Sequence, residues 1–253
     1  MRAALSIPVI AVLLLGGCGD EGESGNGKPR LTVSAATSLS NAFEEYGEGF
    51  DGATARFSFA GSDELAAQIR QGVKPDVYAA ANTKLPDQLF DEGLMEKPVL
   101  FAGNRLVIAV AADRDDIKGI EDLGGEDIEL AVGAESVPVG EYTREVLSRL
   151  PASESEAILA NLRSEEPDVG GVVGKLTQGA ADAGFLYITD VTAAGDDMRA
   201  IELPDDLQPS VKYGVAVVKG AKEPEAAKEF IDGLLEGQGA DALRKAGFEP
   251  PSG

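Results

Sequence analysis

Three stretches of the chain join a short apolar run to small and hydroxyl residues and then to a helix start: Ala35-Ala36-Thr37-Ser38-Leu39, Phe59-Ala60-Gly61-Ser62-Asp63 and Val137-Pro138-Val139-Gly140. A helix N-terminus carries several backbone N–H groups without an intrahelical partner and roughly half a positive charge, so it attracts anions without Lys or Arg. A serine at or beside the cap adds a hydroxyl donor. A plainer role fits the same pattern, in which Ser38 and Ser62 only cap their own helices, and these residues alone leave both open. Other chemistry finds less support. Gly170-Gly171-Val172-Val173-Gly174-Lys175 approaches a phosphate loop, but Val169 stands where its first glycine belongs and Leu176 where a magnesium-binding Ser or Thr is needed. With no histidine, the chain has no Ser-His-Asp triad, Cys-His pair or histidine metal site; its single cysteine excludes an internal disulfide and a thiolate zinc cluster. Glu44-Glu45, Asp115-Asp116 and Glu165-Glu166 are sequence neighbours that point in different directions on a helix, which suits solvated faces. A hydrolase using two facing carboxylates stays open, with no pair singled out.

The elements that must position these residues follow α/β grammar, short apolar runs alternating with helical periodicity. Strands are predicted over Leu31–Ala35, Ala55–Phe59, Asp76–Ala80, Arg105–Val110, Glu129–Val132, Gly184–Ile188 and Tyr213–Val218. Helices are predicted from Leu39 to Phe50, with Thr37 or Ser38 as N-cap, and over Asp63–Gln71, Leu85–Glu92, Gly140–Leu150, Ser153–Leu162, Pro224–Leu235 and Ala240–Ala246. Pro167-Asp168 opens a further helix containing Val169, Val172, Val173 and Leu176. The two long apolar strands, Arg105–Val110 and Tyr213–Val218, bracket the middle block and are read as crossings between two lobes. This gives a first lobe of residues 30–104 plus 219–253 and a second of 105–218.

The chain has 253 residues, enough for two modest cores. Its 22 Lys and Arg against 44 Asp and Glu give a net charge of -22, which argues against nucleic-acid binding, since phosphate backbones require clustered cations. The N-terminus has the layout of a secretory signal over residues 1–17: Arg2, an apolar run from Ile7 to Leu15, then small residues. That run is too short to span a membrane. Leu15-Gly16-Gly17-Cys18 resembles a bacterial lipoprotein box, so Cys18 is expected to be lipidated, with the polar, glycine-rich residues 18–29 as a tether.

Eight motifs in order make the chain similar to the molybdate-binding proteins of bacterial ABC importers. They are Ala35 to Leu39, Phe59 to Ser62, Asp76 to Ala81, Gly103 to Val107, Val137 to Tyr142, Pro167-Asp168-Val169, Gly184 to Tyr187 and Lys245 to Phe248. The resemblance covers residues 31–248 and implies an α/β, two-lobed type II solute-binding fold, a mixed sheet flanked by helices in each lobe, with the ligand in the cleft between them. It implies an oxyanion, molybdate or tungstate, held by the hydroxyls of Ser38, Ser62 and Tyr187 and the backbone amides of Val139 and Val169. Val139 departs from the family's alanine in its side chain only. Asp63, beside this site, must turn its carboxylate away. The reading further implies a membrane permease as partner, a single chain as functional unit, no cofactor, no bare metal ion and no catalysis. Sulfate is the rival ligand. For Tyr187 the residue pattern alone also fits an amphipathic strand end.

Overall fold

The computed structural model describes residues 28–251; the expected signal segment and Cys18 lie outside the described residues. In chain order the first part comprises β1 (Arg30–Ala36), α1 (Ser40–Gly49), β2 (Thr54–Ala60), α2 (Ser62–Arg70), β3 (Val77–Ala80), α3 (Lys84–Asp91) and β4 (Val99–Asn104). The middle contains β5 (Leu106–Ala111), β6 (Leu130–Gly133), α4 (Pro138–Ser148), α5 (Ala152–Ala160), β7 (Leu162–Glu166), α6 (Val169–Thr177), β8 (Ala183–Tyr187), α7 (Ile188–Ala194) and β9 (Met198–Glu202). The chain closes with β10 (Val211–Val217), α8 (Pro224–Leu235) and α9 (Gln238–Lys245).

Two five-stranded sheets result, ordered β2-β1-β3-β10-β4 and β7-β6-β8-β5-β9. In each, the first three strands are parallel and the fourth runs antiparallel to both its neighbours. The inner strands are apolar because both faces are covered: every residue of β3 and β8 is buried. Edge strands β2 and β7 alternate instead, with partly and fully exposed positions.

One boundary expected from the sequence is corrected here. Residues 211–217 pair with β3 and β4, so they belong to the first lobe's sheet and not to the second lobe. The chain crosses between lobes at Arg105, between β4 and β5, and returns through residues 203–210. Gln208 clasps the two crossings together: its Oε1 accepts from Leu106 N at 3.2 Å and its Nε2 donates to Leu106 O at 2.9 Å. The sequence pattern also missed β4, β7, α7 and β9. β7 is Leu-Arg-Ser-Glu-Glu, whose polar alternation suits an edge and lacks an apolar run.

The first sheet is sandwiched between α1, α8 and α9 on one face and α2 and α3 on the other. Phe230 of α8 is fully buried and meets Phe43 at 5.7 Å and Phe50 at 5.4 Å, both edge to face. On the opposite face Leu65, Ile69, Leu89 and Met95 pack around Tyr78. Removing the Phe230 ring leaves a cavity among rings that cannot collapse into it, and Phe230→Ala is expected to lower stability by about 3–5 kcal/mol. Chemical denaturation checks this, and an unchanged midpoint would show that these rings do not hold the lobe together.

Candidate functional site

The parallel strands of both sheets end at the cleft, and the loops that follow them build one cavity. β1 runs into a 3-10 turn, Thr37–Leu39, that precedes α1. β2 leads through Gly61 into α2, β6 leads to α4, and β7 leads through Pro167-Asp168 into α6. Residues from these four connections and Tyr187, the last residue of β8, line an opening of about 20 Å³. All five residues singled out from the sequence, Ser38, Ser62, Val139, Val169 and Tyr187, are among its walls. No Lys or Arg is.

Each of the five carries an N–H or O–H group at this wall, in a local setting of its own. Val139 is the second residue of α4, after Pro138, and Val169 is the first of α6, so neither amide has an intrahelical acceptor. Pro138 fits that first turn because its missing N–H would have been unpaired there. A Cβ on Gly140 would collide with the Ala134 carbonyl, so glycine is what lets the start of α4 sit against the end of β6. Ser62 Oγ accepts from the amide of Ala81 at 3.1 Å, which leaves its own hydrogen free, and the Tyr78 hydroxyl donates to the Ser62 carbonyl at 2.7 Å. Ser38 Oγ lies 3.0 Å from the hydroxyl of Tyr213. Tyr187 is 1% exposed and its hydroxyl has no partner among the described residues. Burial pushes that hydroxyl well above its ordinary range, so it keeps its proton and remains a donor.

The plainer capping role of the serines is not what the geometry shows. Ser62 is the first helical residue of α2, with Gly61 as N-cap, and α1 is preceded by Leu39; neither helix has a side-chain cap bond. Asp63 is not among the cavity walls, and its Oδ2 accepts from Ser136 Oγ of the other lobe at 3.2 Å. Asp168 does line the cavity. Its two oxygens are occupied, Oδ1 by the amide of Gly171 at 3.0 Å and Oδ2 by the hydroxyl of Thr37 at 3.2 Å.

Several of these contacts join the lobes, and sequence reasoning missed them. Besides Thr37 to Asp168 and Ser136 to Asp63, Asn82 donates to Glu141 at 3.2 Å and Lys84 pairs with the same carboxylate. Asn104 donates to Thr189 Oγ1 at 2.9 Å. In the sequence Tyr213 and Asn104 stand out only as parts of a strand and a motif. The available signal was a polar group at the end of an apolar run, which must find a partner once buried.

The backbone itself sets how near the lobes come. A Cβ on Gly61 would lie 2.6 Å from the carbonyl oxygen of Pro167, across the cleft. Beyond Thr37, Ser38 and Val169 a wider groove of about 380 Å³ opens, where Asp190 is exposed in part and Lys245 is exposed. Asp190 accepts from the Tyr187 amide at 3.1 Å. Burial, and less strongly the charge of Asp168, push its carboxyl up to about 7 against that hydrogen bond.

Fold and cleft together define a two-lobed type II solute-binding protein. The chain belongs to the bacterial extracellular solute-binding protein family, whose profile matches residues 31–249. It is 32% identical over 262 residues to the molybdate-binding protein ModA of Mycobacterium tuberculosis, an alignment covering 98% of each chain. Among solved structures it is similar to the periplasmic molybdate-binding protein of Azotobacter vinelandii, with a TM-score of 0.79, 20% identity, and 88% of this chain and 100% of that one covered. It is also similar to the sulfate-binding protein SubI of Mycobacterium tuberculosis, with a TM-score of 0.78, 16% identity, and coverage of 88% and 87%. At these identities the two structures bear on the fold alone.

Two outcomes follow from this geometry. Gly61→Ala is expected to hold the lobes apart and weaken ligand binding at least tenfold while leaving the thermal midpoint of the ligand-free protein nearly unchanged; undiminished affinity would show that the contact can yield. With its carboxyl raised to about 7, Asp190 keeps a proton in the folded chain between about pH 4 and 7 that the unfolded chain has released. Its contribution to stability therefore declines as pH rises from about 4 to about 7 and is level above. Thermal midpoints measured across this window should fall less steeply in Asp190→Asn, and parallel curves would remove Asp190 from the account.

Proposed function

We propose that the chain is a lipid-anchored receptor outside the cytoplasmic membrane that captures molybdate, and tungstate equally, and delivers it to an ABC permease without chemical turnover. The observation that carries this reading is the buried, unpartnered hydroxyl of Tyr187 at a cation-free cavity whose other walls offer two serine hydroxyls and two free helix amides. A buried polar group without a partner costs about 1–3 kcal/mol, a cost that a ligand with acceptor oxygens removes. A cavity this small has no room for a sugar or a peptide.

Donors alone also choose among tetrahedral ions. Phosphate at neutral pH carries at least one proton and needs an acceptor, whereas molybdate, tungstate and sulfate carry none. Sulfate is smaller, so in a rigid cage its oxygens fall short of some donors. The molybdate-binding relative in Mycobacterium tuberculosis supports molybdate over sulfate. The hydrolase alternative needs two facing carboxylates, and Asp168 is the one carboxylate among the cavity walls, with both oxygens engaged. Anchoring at Cys18 rests on the sequence layout alone.

Isothermal titration calorimetry of the chain from Gly19 onward is expected to show one-to-one binding of molybdate and tungstate, with sulfate and phosphate silent. In Ser62→Ala the affinity should fall by about 1.5–3 kcal/mol, the range for a hydrogen bond to a charged group. Silence with both metal oxyanions would sink the assignment.

A further inference from the structure

The hydroxyl hydrogen of Ser38 has two candidate directions, toward Tyr213 or into the cavity, and the groups behind it decide between them. The amide of Arg105 donates to Asn104 Oδ1 at 2.9 Å, which fixes the orientation of that side-chain amide. Asn104 Nδ2 therefore faces Thr189 Oγ1 at 2.9 Å and the Tyr213 hydroxyl at 3.4 Å as a donor. Tyr213 is 0% exposed, and its oxygen already receives from Asn104. If Ser38 also donated to it, the phenolic hydrogen would be buried without an acceptor, since Ser38 Oγ and Asn104 Nδ2 are the partners its hydroxyl has. The hydrogen count is satisfied only when Asn104 donates to Tyr213 and Tyr213 donates to Ser38. Ser38 then has its hydrogen left over, and Ser38 lines the cavity.

We propose that Tyr213 is a positioning residue that, through Asn104, locks Ser38 as a hydrogen-bond donor toward the bound oxyanion; this rests on the oxyanion reading given above. The device matches that at Ser62, where the Ala81 amide fills the serine's acceptor side and turns its hydrogen free. It differs in reach. Asn104 sits at the end of β4 immediately before the crossing at Arg105, and its bond to Thr189 joins the lobes. The chain of donors therefore runs from the hinge to the ligand, each bond polarising the next.

A double-mutant cycle tests this by calorimetry with molybdate. Tyr213→Phe keeps the ring and removes the hydroxyl, and is expected to weaken binding roughly three- to tenfold in the otherwise unchanged chain. In a Ser38→Ala background the same substitution should change affinity less than about twofold, because Tyr213 acts through Ser38. An equal loss in both backgrounds, or none in the first, overturns the proposal. Absence of molybdate binding by the unsubstituted chain would instead count against the oxyanion reading. Neutron diffraction from ligand-free crystals of the unsubstituted chain tests the hydrogen direction independently of both. The expected result is a deuteron on Tyr213 Oη along the line to Ser38 Oγ; a Ser38 deuteron on that line overturns the proposal.

Discussion

The approach of Gly61 to the Pro167 carbonyl is the constraint on which the cleft depends. A dipole in water is worth little because water competes with it; the same dipole in a closed, dry cavity is worth several times more. Every donor at this site is neutral, so the site works only if the two lobes shut out solvent. That requirement explains why residues around the cavity are spent on fit. Gly61 and Gly140 give up side chains so that backbones can meet, while Thr37 to Asp168, Ser136 to Asp63 and Glu141 with Asn82 and Lys84 join the two sides.

The two acidic residues nearest the site show how a carboxylate is tolerated beside an anion cavity. Asp63 is turned across the cleft to Ser136. Asp168 stays in the wall, but a helix amide and the Thr37 hydroxyl cover its oxygens. Asp63 has one oxygen engaged across the cleft and the other buried beside Gly61 without a partner among the described residues, whereas both oxygens of Asp168 are covered by donors. In both, one partner belongs to the opposite lobe or to the helix that the acid caps, so negative charge also helps to define the closed arrangement.

Much of the architecture was legible in the chain because strands buried on both faces write themselves as apolar runs. β1, β3, β5, β8 and β10 fall close to where the pattern places them, and α8 falls on the expected residues. The missing elements have two causes: β4, β7 and β9 are edge strands with partly exposed residues, and α7 follows β8 without a break. The lobe boundary failed for a different reason. An apolar strand announces burial but not which sheet buries it, and β10 is a member of the first sheet even though it follows the second in sequence. Around the cavity, the spacing of hydroxyls and helix starts points to Ser38, Ser62 and Val139, and the family resemblance adds Val169 and Tyr187; all five lie in its walls. Tyr213, Asn104 and the contacts across the cleft were not legible, because they depend on pairings between residues up to 175 positions apart.

The absence of Lys and Arg from the cavity walls has a consequence for what lies outside it. A site that holds an ion by dipoles does not neutralise it. The loaded molecule carries the full charge of its cargo in addition to its own excess of acids, and the field of that charge extends beyond the closed lobes. A docking surface with positive potential at the mouth of the cleft would act on the cargo before any contact with it, drawing loaded molecules in preference to empty ones and favouring release in its own direction.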